Sequence, residues 1–137
     1  MNLGFRLVIL TNGIKVKRVP VYKCEAGCTY ELHPVIKNEM KALLKSLSGS
    51  KFQQSIDFTE INEFADVLWG LNESWDEESG LHFDTVLEQK CEEQINLLLD
   101  LYGVAKGMQD EEWMEILTKR LSQLSKYVRV MYFTGVN

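Results

Sequence analysis

The chain reads as an α+β fold dominated by helices: an N-terminal β-hairpin in a small antiparallel sheet, packed against about four amphipathic helices. Three observations predict it. Asn12-Gly13 stands between two runs of β-forming residues, 5–11 and 14–22, and this dipeptide is the strongest short-range hairpin signal because a type I′ turn needs positive φ at both central residues. Four later stretches repeat apolar residues at helical spacing. The run 127–133 returns to Val, Tyr and Phe, as a third strand would. A length of 137 residues suits one compact domain spanning 1–137.

A two-residue loop pairs Thr11 with Ile14, Ile9 with Val16 and Leu7 with Arg18, leaving Leu10 with Lys15 and Val8 with Lys17 on the other face. The first strand is then apolar on both faces, as a central strand is, whereas the second shows a cationic face. Pro20 in the second strand lacks a ladder donor and suits an edge. The first strand needs another neighbour, either residues 52–56 or the C-terminal run 127–133. The C-terminal run is preferred, although the chain after Lys126 also fits a continued helix.

Pro34 opens the first helix, with Ile36, Met40, Leu43, Leu44 and Leu47 inward and Gly49 as its stop. Asp57 and Glu60 form a capping-box pattern, with Ile56 and Ile61 placed as a hydrophobic staple. The helix that follows turns Ile61, Phe64, Ala65, Leu68, Trp69 and Trp75 inward, and residues 76–80 form an acidic loop. Asp84 caps a third helix with Leu87, Cys91, Ile95, Leu98 and Tyr102 on one stripe, ending near Gly103 or Gly107. Asp110, Glu111 and Glu112 start a fourth, whose inner face is Trp113, Ile116, Leu117, Leu121 and Leu124.

Charge is sorted along this order. Residues 1–51 hold nine Lys or Arg against three acids, +6; residues 52–99 hold twelve acids against Lys90, −11; residues 100–137 hold five of each. The total is −5, and a pI near 5.1 argues against general nucleic-acid affinity, which needs cationic surface. No apolar run approaches the roughly 20 residues that cross a bilayer, and the apolar stretch at residues 7–10 is too short for a signal-peptide core. Three cysteines, an odd number, point to free thiols in a reducing compartment. These observations place the protein in the cytoplasm.

Cys24 and Cys28 lie four apart beside His33. Two thiolates and an imidazole this close supply part of a tetrahedral zinc site, with Cys91 or His82 left to complete it. The segment 19–47 loosely resembles the second half of a YgiT-type zinc finger, in which a strand ending in Val-Pro-x-x-x-Cys leads through a second Cys into an apolar helix. That family's N-terminal Cys pair is absent here and its second pair is closer than Cys24 and Cys28. Two unpaired thiols rank ahead of zinc, so no cofactor is expected.

Lys37, Lys41 and Lys45 form a cationic stripe on the first helix; with Lys15, Lys17, Arg18 and Lys23 they offer a phosphate-binding face. Against this, Glu60, Glu63 and Asp66 form a complementary acidic row that would neutralise the stripe. The set His82, Asp84, Glu88, Glu92 and Glu93 lacks the Glu-x-x-His units of a di-iron bundle and reads as a solvated face. Asp76, Glu77 and Glu78 lack the ligand alternation of a calcium loop. No Gly-x-Ser-x-Gly elbow, phosphate loop or His-Glu-x-x-His occurs, so an enzyme is not expected, Cys28 with His33 being the one conceivable nucleophile pair.

The reading is a non-catalytic protein-interaction module: an adaptor, inhibitor or assembly factor. It acts through the acidic region 57–93, with Glu60, Glu63, Asp66, Trp75, Asp76, Glu77 and Glu78 facing a basic partner protein. The order of hairpin, helix and acidic helices resembles that of phage tail assembly chaperones. A nucleic-acid-binding or regulatory module using Lys15, Lys17, Arg18, Lys37, Lys41 and Lys45 ranks second. No membrane association is expected, and the oligomeric state is left open.

Overall fold

The computed structural model describes residues 2–23 and 29–134. Its elements are β1 (Asn2–Ile9), β2 (Lys15–Lys23), β3 (Tyr30–Leu32), α1 (Lys37–Leu47), β4 (Ser55–Asp57), α2 (Phe58–Ile61), α3 (Glu63–Ser74), a 3₁₀ turn (Glu77–Ser79), α4 (Phe83–Gly107) and α5 (Glu111–Thr134). Helices dominate, and the small sheet is antiparallel apart from β4, so the α+β class holds. The chain falls into two compact units, Met1–Trp69 and Gly70–Asn137. No described helix is long and apolar enough to cross a membrane.

The hairpin forms where expected but in a different register. Ile9 pairs with Lys15 and Val8 with Val16, one residue away from the two-residue-loop pairing. Gly13 N–H donates to the Leu10 carbonyl (2.9 Å) and Leu10 N–H to the Ile14 carbonyl (2.8 Å). Gly13 has φ +89° and Asn12 is not left-handed. This is a three-residue loop, a type I turn closed by a left-handed glycine. The Asn12 side chain is engaged elsewhere. Its Oδ1 accepts from Ile14 N–H (3.3 Å), while Nδ2 donates to the Leu47 (2.9 Å) and Ser50 (3.3 Å) carbonyls. The carboxamide ties the turn to the end of α1.

A bulge then resets the strand faces. Between the pairs Arg6–Val19 and Val8–Val16, Leu7 opposes both Lys17 and Arg18, and Arg18 takes φ 57°. The extra residue puts Val16, Val19 and Val21 all in the core despite their odd spacing. It also leaves Lys15 and Lys17 exposed.

Two sequence expectations are corrected here. β2, not β1, is the central strand: it pairs with β1, β3 and β4, and β1 is the edge. Cationic side chains on β2 did not exclude a central position because Lys15 and Lys17 alternate with the buried Val16, Arg18 is taken up by Asp57 and Lys23 lies at the strand end. The C-terminal run is helix, not a third strand, since α5 continues to Thr134. The neighbours that complete the sheet are β3 and the parallel β4 at 55–57, the latter overlapping the alternative segment 52–56.

The second expected helix is divided. Asn62 is extended (φ −131°, ψ 117°) and its Oδ1 accepts Ala65 N–H (2.9 Å), capping α3. Its Nδ2 donates to Glu39 of α1. Asp57 caps α2 through Thr59 N–H (3.0 Å). The core of this unit includes Ile14, Ile36, Met40, Phe58, Phe64 and Leu68.

The other unit contains a helical hairpin, α4 packed on α5. Among the buried and half-buried positions, a series runs through Leu87, Cys91, Gln94, Leu98, Leu101 and Ala105 on α4 and Trp113, Leu117, Arg120, Leu124 and Tyr127 on α5, with Ile95, Tyr102, Met114, Leu121 and Gln123 covered beside it. On both helices the series follows alternating steps of four and three, the 3.5-residue period of a coiled-coil seam. Ile116, expected inward, lies off this seam and is exposed. α4 begins at His82 rather than Asp84. Between the helices Asp110 N–H donates to the Ala105 carbonyl (3.0 Å) and Gln109 N–H to Lys106 (3.1 Å), with Gln109 left-handed at φ 56°, a Schellman stop. Asp110 Oδ1 then accepts Trp113 N–H (3.1 Å) and starts α5.

Candidate functional site

His33 is fully engaged. It is buried, its Nδ1 accepts Val35 N–H (3.2 Å), and Nε2 lies 3.1 Å from the Tyr22 hydroxyl. Because Nδ1 must keep its lone pair, the ring is neutral and Nε2–H donates to Tyr22. The ring also lies 4.9 Å from Tyr22 and 5.0 Å from Phe64 between centroids. Burial lowers its pKa to about 4. With both nitrogens taken, His33 is withdrawn from the zinc half-site and from any pairing with a thiol. Cys24 and Cys28 lie outside the described residues. Cys91 is buried on the α4 seam, and burial pushes its thiol up to about 12, which disfavours the thiolate a metal would need. His82 is exposed at the start of α4.

The cationic set divides into two kinds of residue. Arg18, on the bulge, binds Asp57 Oδ2 at 3.1 Å and lies 4.7 Å over the Trp69 ring. Trp69 in turn meets Phe5 edge-on at 4.8 Å. Asp57 therefore serves both the α2 cap and the β2 bulge, and Arg18 is a structural cation rather than a free one. Sequence reading missed this cluster, because nothing local marks a bulge that turns Arg18 toward a residue 51 positions later, Trp69. Lys15, Lys17, Lys37, Lys41 and Lys45 are exposed, and among the described residues none of the five makes an ion pair.

The acidic row expected on the second helix does not present one face. Glu60 and Asp66 are exposed, but Glu63 is buried at 8 %. The break at Asn62 sets Glu60 on a different helix from the other two and turns Glu63 inward. The row therefore does not neutralise the lysine stripe as a unit.

Asp76, Glu77 and Glu78 form a contiguous run of exposed carboxylates, as do Asp110, Glu111 and Glu112 at the start of α5. Asp76 Oδ1 accepts Glu78 N–H (2.9 Å) and the Asp76 carbonyl accepts Ser79 N–H (3.1 Å), with Gly80 closing the turn at φ 75°. Trp75 is half-buried and meets Phe83 in an edge-type contact at 5.0 Å. Along α4, Glu88, Glu92 and Glu93 are exposed, with Glu93 3.7 Å from Lys90.

Among the described residues no group of three His, Cys, Asp or Glu could hold a metal ion. An open groove of about 600 Å³ runs beside α4 and α5, lined by Tyr102, Glu111, Met114, Glu115, Thr118 and Lys119. It carries no nucleophile paired with a base. Comparison with protein-family models, curated proteins and solved structures finds no match.

Proposed function

We propose that this chain is a non-catalytic interaction module, an adaptor, inhibitor or assembly factor, that engages a basic protein partner through its acidic surface. The observation that carries the reading is the turn at Asp76, Glu77 and Glu78. Three exposed carboxylates stand on one turn whose backbone the Asp76 side chain fixes, next in sequence to a half-buried Trp75. Among the described residues no cation pairs with them. Such a surface accelerates encounter with cationic partners, and an aromatic at its rim supplies an anchor. Glu60 and Asp66 are exposed on the other unit, Met1–Trp69, where Glu63 is buried.

Affinity capture of the tagged chain from native lysate, with and without nuclease, tests this. The expected result is one stoichiometric protein that survives nuclease and is lost from the triple variant Asp76→Lys, Glu77→Lys, Glu78→Lys. Retention of that protein by the triple variant excludes the acidic turn.

Lys37, Lys41 and Lys45, exposed and without an ion pair among the described residues, favour a second reading, a nucleic-acid-binding or regulatory module. It requires binding that weakens steeply with salt and a salt slope that falls when these lysines are replaced.

A further inference from the structure

We infer that the free edge of β1 is a docking strand for an extended, acidic segment of another protein, which adds to the sheet by backbone pairing. This surface lies on the unit Met1–Trp69 and does not depend on the reading of the acidic turn.

Among the described residues β1 pairs only with β2, so the N–H and C=O groups on its other side form an open ladder. Edge strands in stable monomers are usually blunted by proline, lysine, an inward charge or a bulge. β1 has none of these protections. Its eight residues contain no proline or lysine, and the bulge falls on β2. Its single charge, Arg6, reaches across the sheet to β3. The guanidinium sits 4.3 Å over the Tyr30 ring and Nη1 donates to the Tyr30 hydroxyl at 3.3 Å. The outer side of β1 is left uncharged.

Side chains on one face of this edge define what it accepts. Leu7 and Ile9 share a face by strand alternation and are 50 % and 61 % exposed. Lys15 is the direct partner of Ile9, and Lys17 lies opposite Leu7 at the bulge. Both lysines are exposed and unpaired among the described residues. Two apolar side chains flanked by two ammonium groups call for a strand that alternates carboxylate and apolar residues.

The same charges argue against a second copy of this chain. Residues 2–23 contain Arg6, Lys15, Lys17, Arg18 and Lys23 and no acid at all, so a β1-to-β1 pairing would set two cationic hairpins side by side with no carboxylate between them.

The probe is a fluorescein-labelled nine-residue peptide of alternating Glu and Val, followed by anisotropy at low salt. Three controls accompany it: the same peptide with its central Val replaced by Pro, a version with Lys for Glu, and a single-stranded nine-nucleotide DNA. The full chain should bind the Glu–Val peptide and protect the amides of β1 from exchange. Affinity should fall about tenfold or more with the proline peptide, with the Lys peptide, and with the Lys15→Glu/Lys17→Glu variant. Ile9→Glu, at an exposed position that leaves the core intact, should weaken binding by placing a carboxylate beside those of the peptide. Any of four results overturns the inference: no Glu–Val binding; equal binding of the proline peptide; DNA binding that displaces the peptide; or a peptide-independent dimer that protects the β1 amides.

Discussion

The unit Met1–Trp69 is held by individual, non-repeating contacts, whereas the unit Gly70–Asn137 is held by a repeated seam. In the first, Asn12 ties a turn to a helix end, Asn62 caps one helix while reaching another, and Asp57 serves an arginine and a cap together. In the second, α4 and α5 pack along a 3.5-residue repeat that runs through Leu87, Cys91 and Leu98 on one helix and Leu117 and Leu124 on the other. The charge follows the same division. Nine cations against seven acids leave the first unit at +2, and six against thirteen leave the second at −7. The exposed faces of α4 and α5 carry carboxylates, among them Glu88, Glu92, Glu93, Glu111 and Glu112. In the sheet unit Arg18, Asp57 and Glu39 are committed to clasps while Lys15, Lys17, Lys37, Lys41 and Lys45 stay exposed.

The largest effect that separates the two is in the seam. Leu117 is fully buried, so Leu117→Ala should cost about 3 kcal/mol in denaturant unfolding. Its neighbour Ile116, half exposed off the seam, should cost under about 1 kcal/mol when changed to Ala. Equal losses at the two positions would contradict the 3.5-residue register.

Acid should act on the other unit. His33 stays neutral in the fold down to a pKa of about 4 against the ordinary 6.5. As the pH falls below 6.5 the unfolded chain takes up a proton that the fold refuses. Stability should therefore drop through the window from 6.5 to 4, by up to about 3 kcal/mol. The His33→Gln variant should lack that part of the pH dependence, which unfolding at pH 7 and pH 4.5 measures. Cys91 behaves oppositely and out of range: its buried thiol costs stability only as the pH rises past 9.

The smallest effect compares two left-handed residues, one per unit. Gln109→Gly relieves the strained φ and should raise stability by about 0.5–1 kcal/mol. Arg18→Gly relieves the same strain but removes the contacts to Asp57 and Trp69, so it should lower the melting temperature. A gain at Arg18 as large as at Gln109 would show those contacts to be energetically idle.

What could be read in advance followed from local chemistry. Asn12-Gly13 marked the hairpin, Asp57 and Asp110 marked helix starts, and the stripes from Leu87 and Trp113 marked the long helices. The errors came where distant residues decide. Asn12 looked like a type I′ turn residue, but the α1 carbonyls use its side chain, so the loop gained a residue. Lys15 and Lys17 suggested an edge until Val16, Val19 and Val21 were brought to one face by a bulge with no signal of its own. The Val, Tyr and Phe content after Lys126 suggested a strand, but the seam through Leu124 and Tyr127 overrode it. Of the candidate site, the exposed acidic turn was legible because its residues are contiguous. The roles of Arg18, Glu63 and His33 were not, since each is set by a partner from another element.

The parallel pairing of β4 with β2 also carries an order in time. Lys15 N–H donates to the Gln54 carbonyl at 3.1 Å, so the central strand waits for chain that is synthesised after β3 and α1 have both emerged. Until β3 follows, the hairpin is a two-stranded ribbon, marginal in water, and the Lys15 end of β2 keeps an open side until β4 arrives. The seam of α4 and α5 closes through a loop of only a few residues and needs no such wait. The half of the chain made first is thus the half whose architecture is completed by long-range closure.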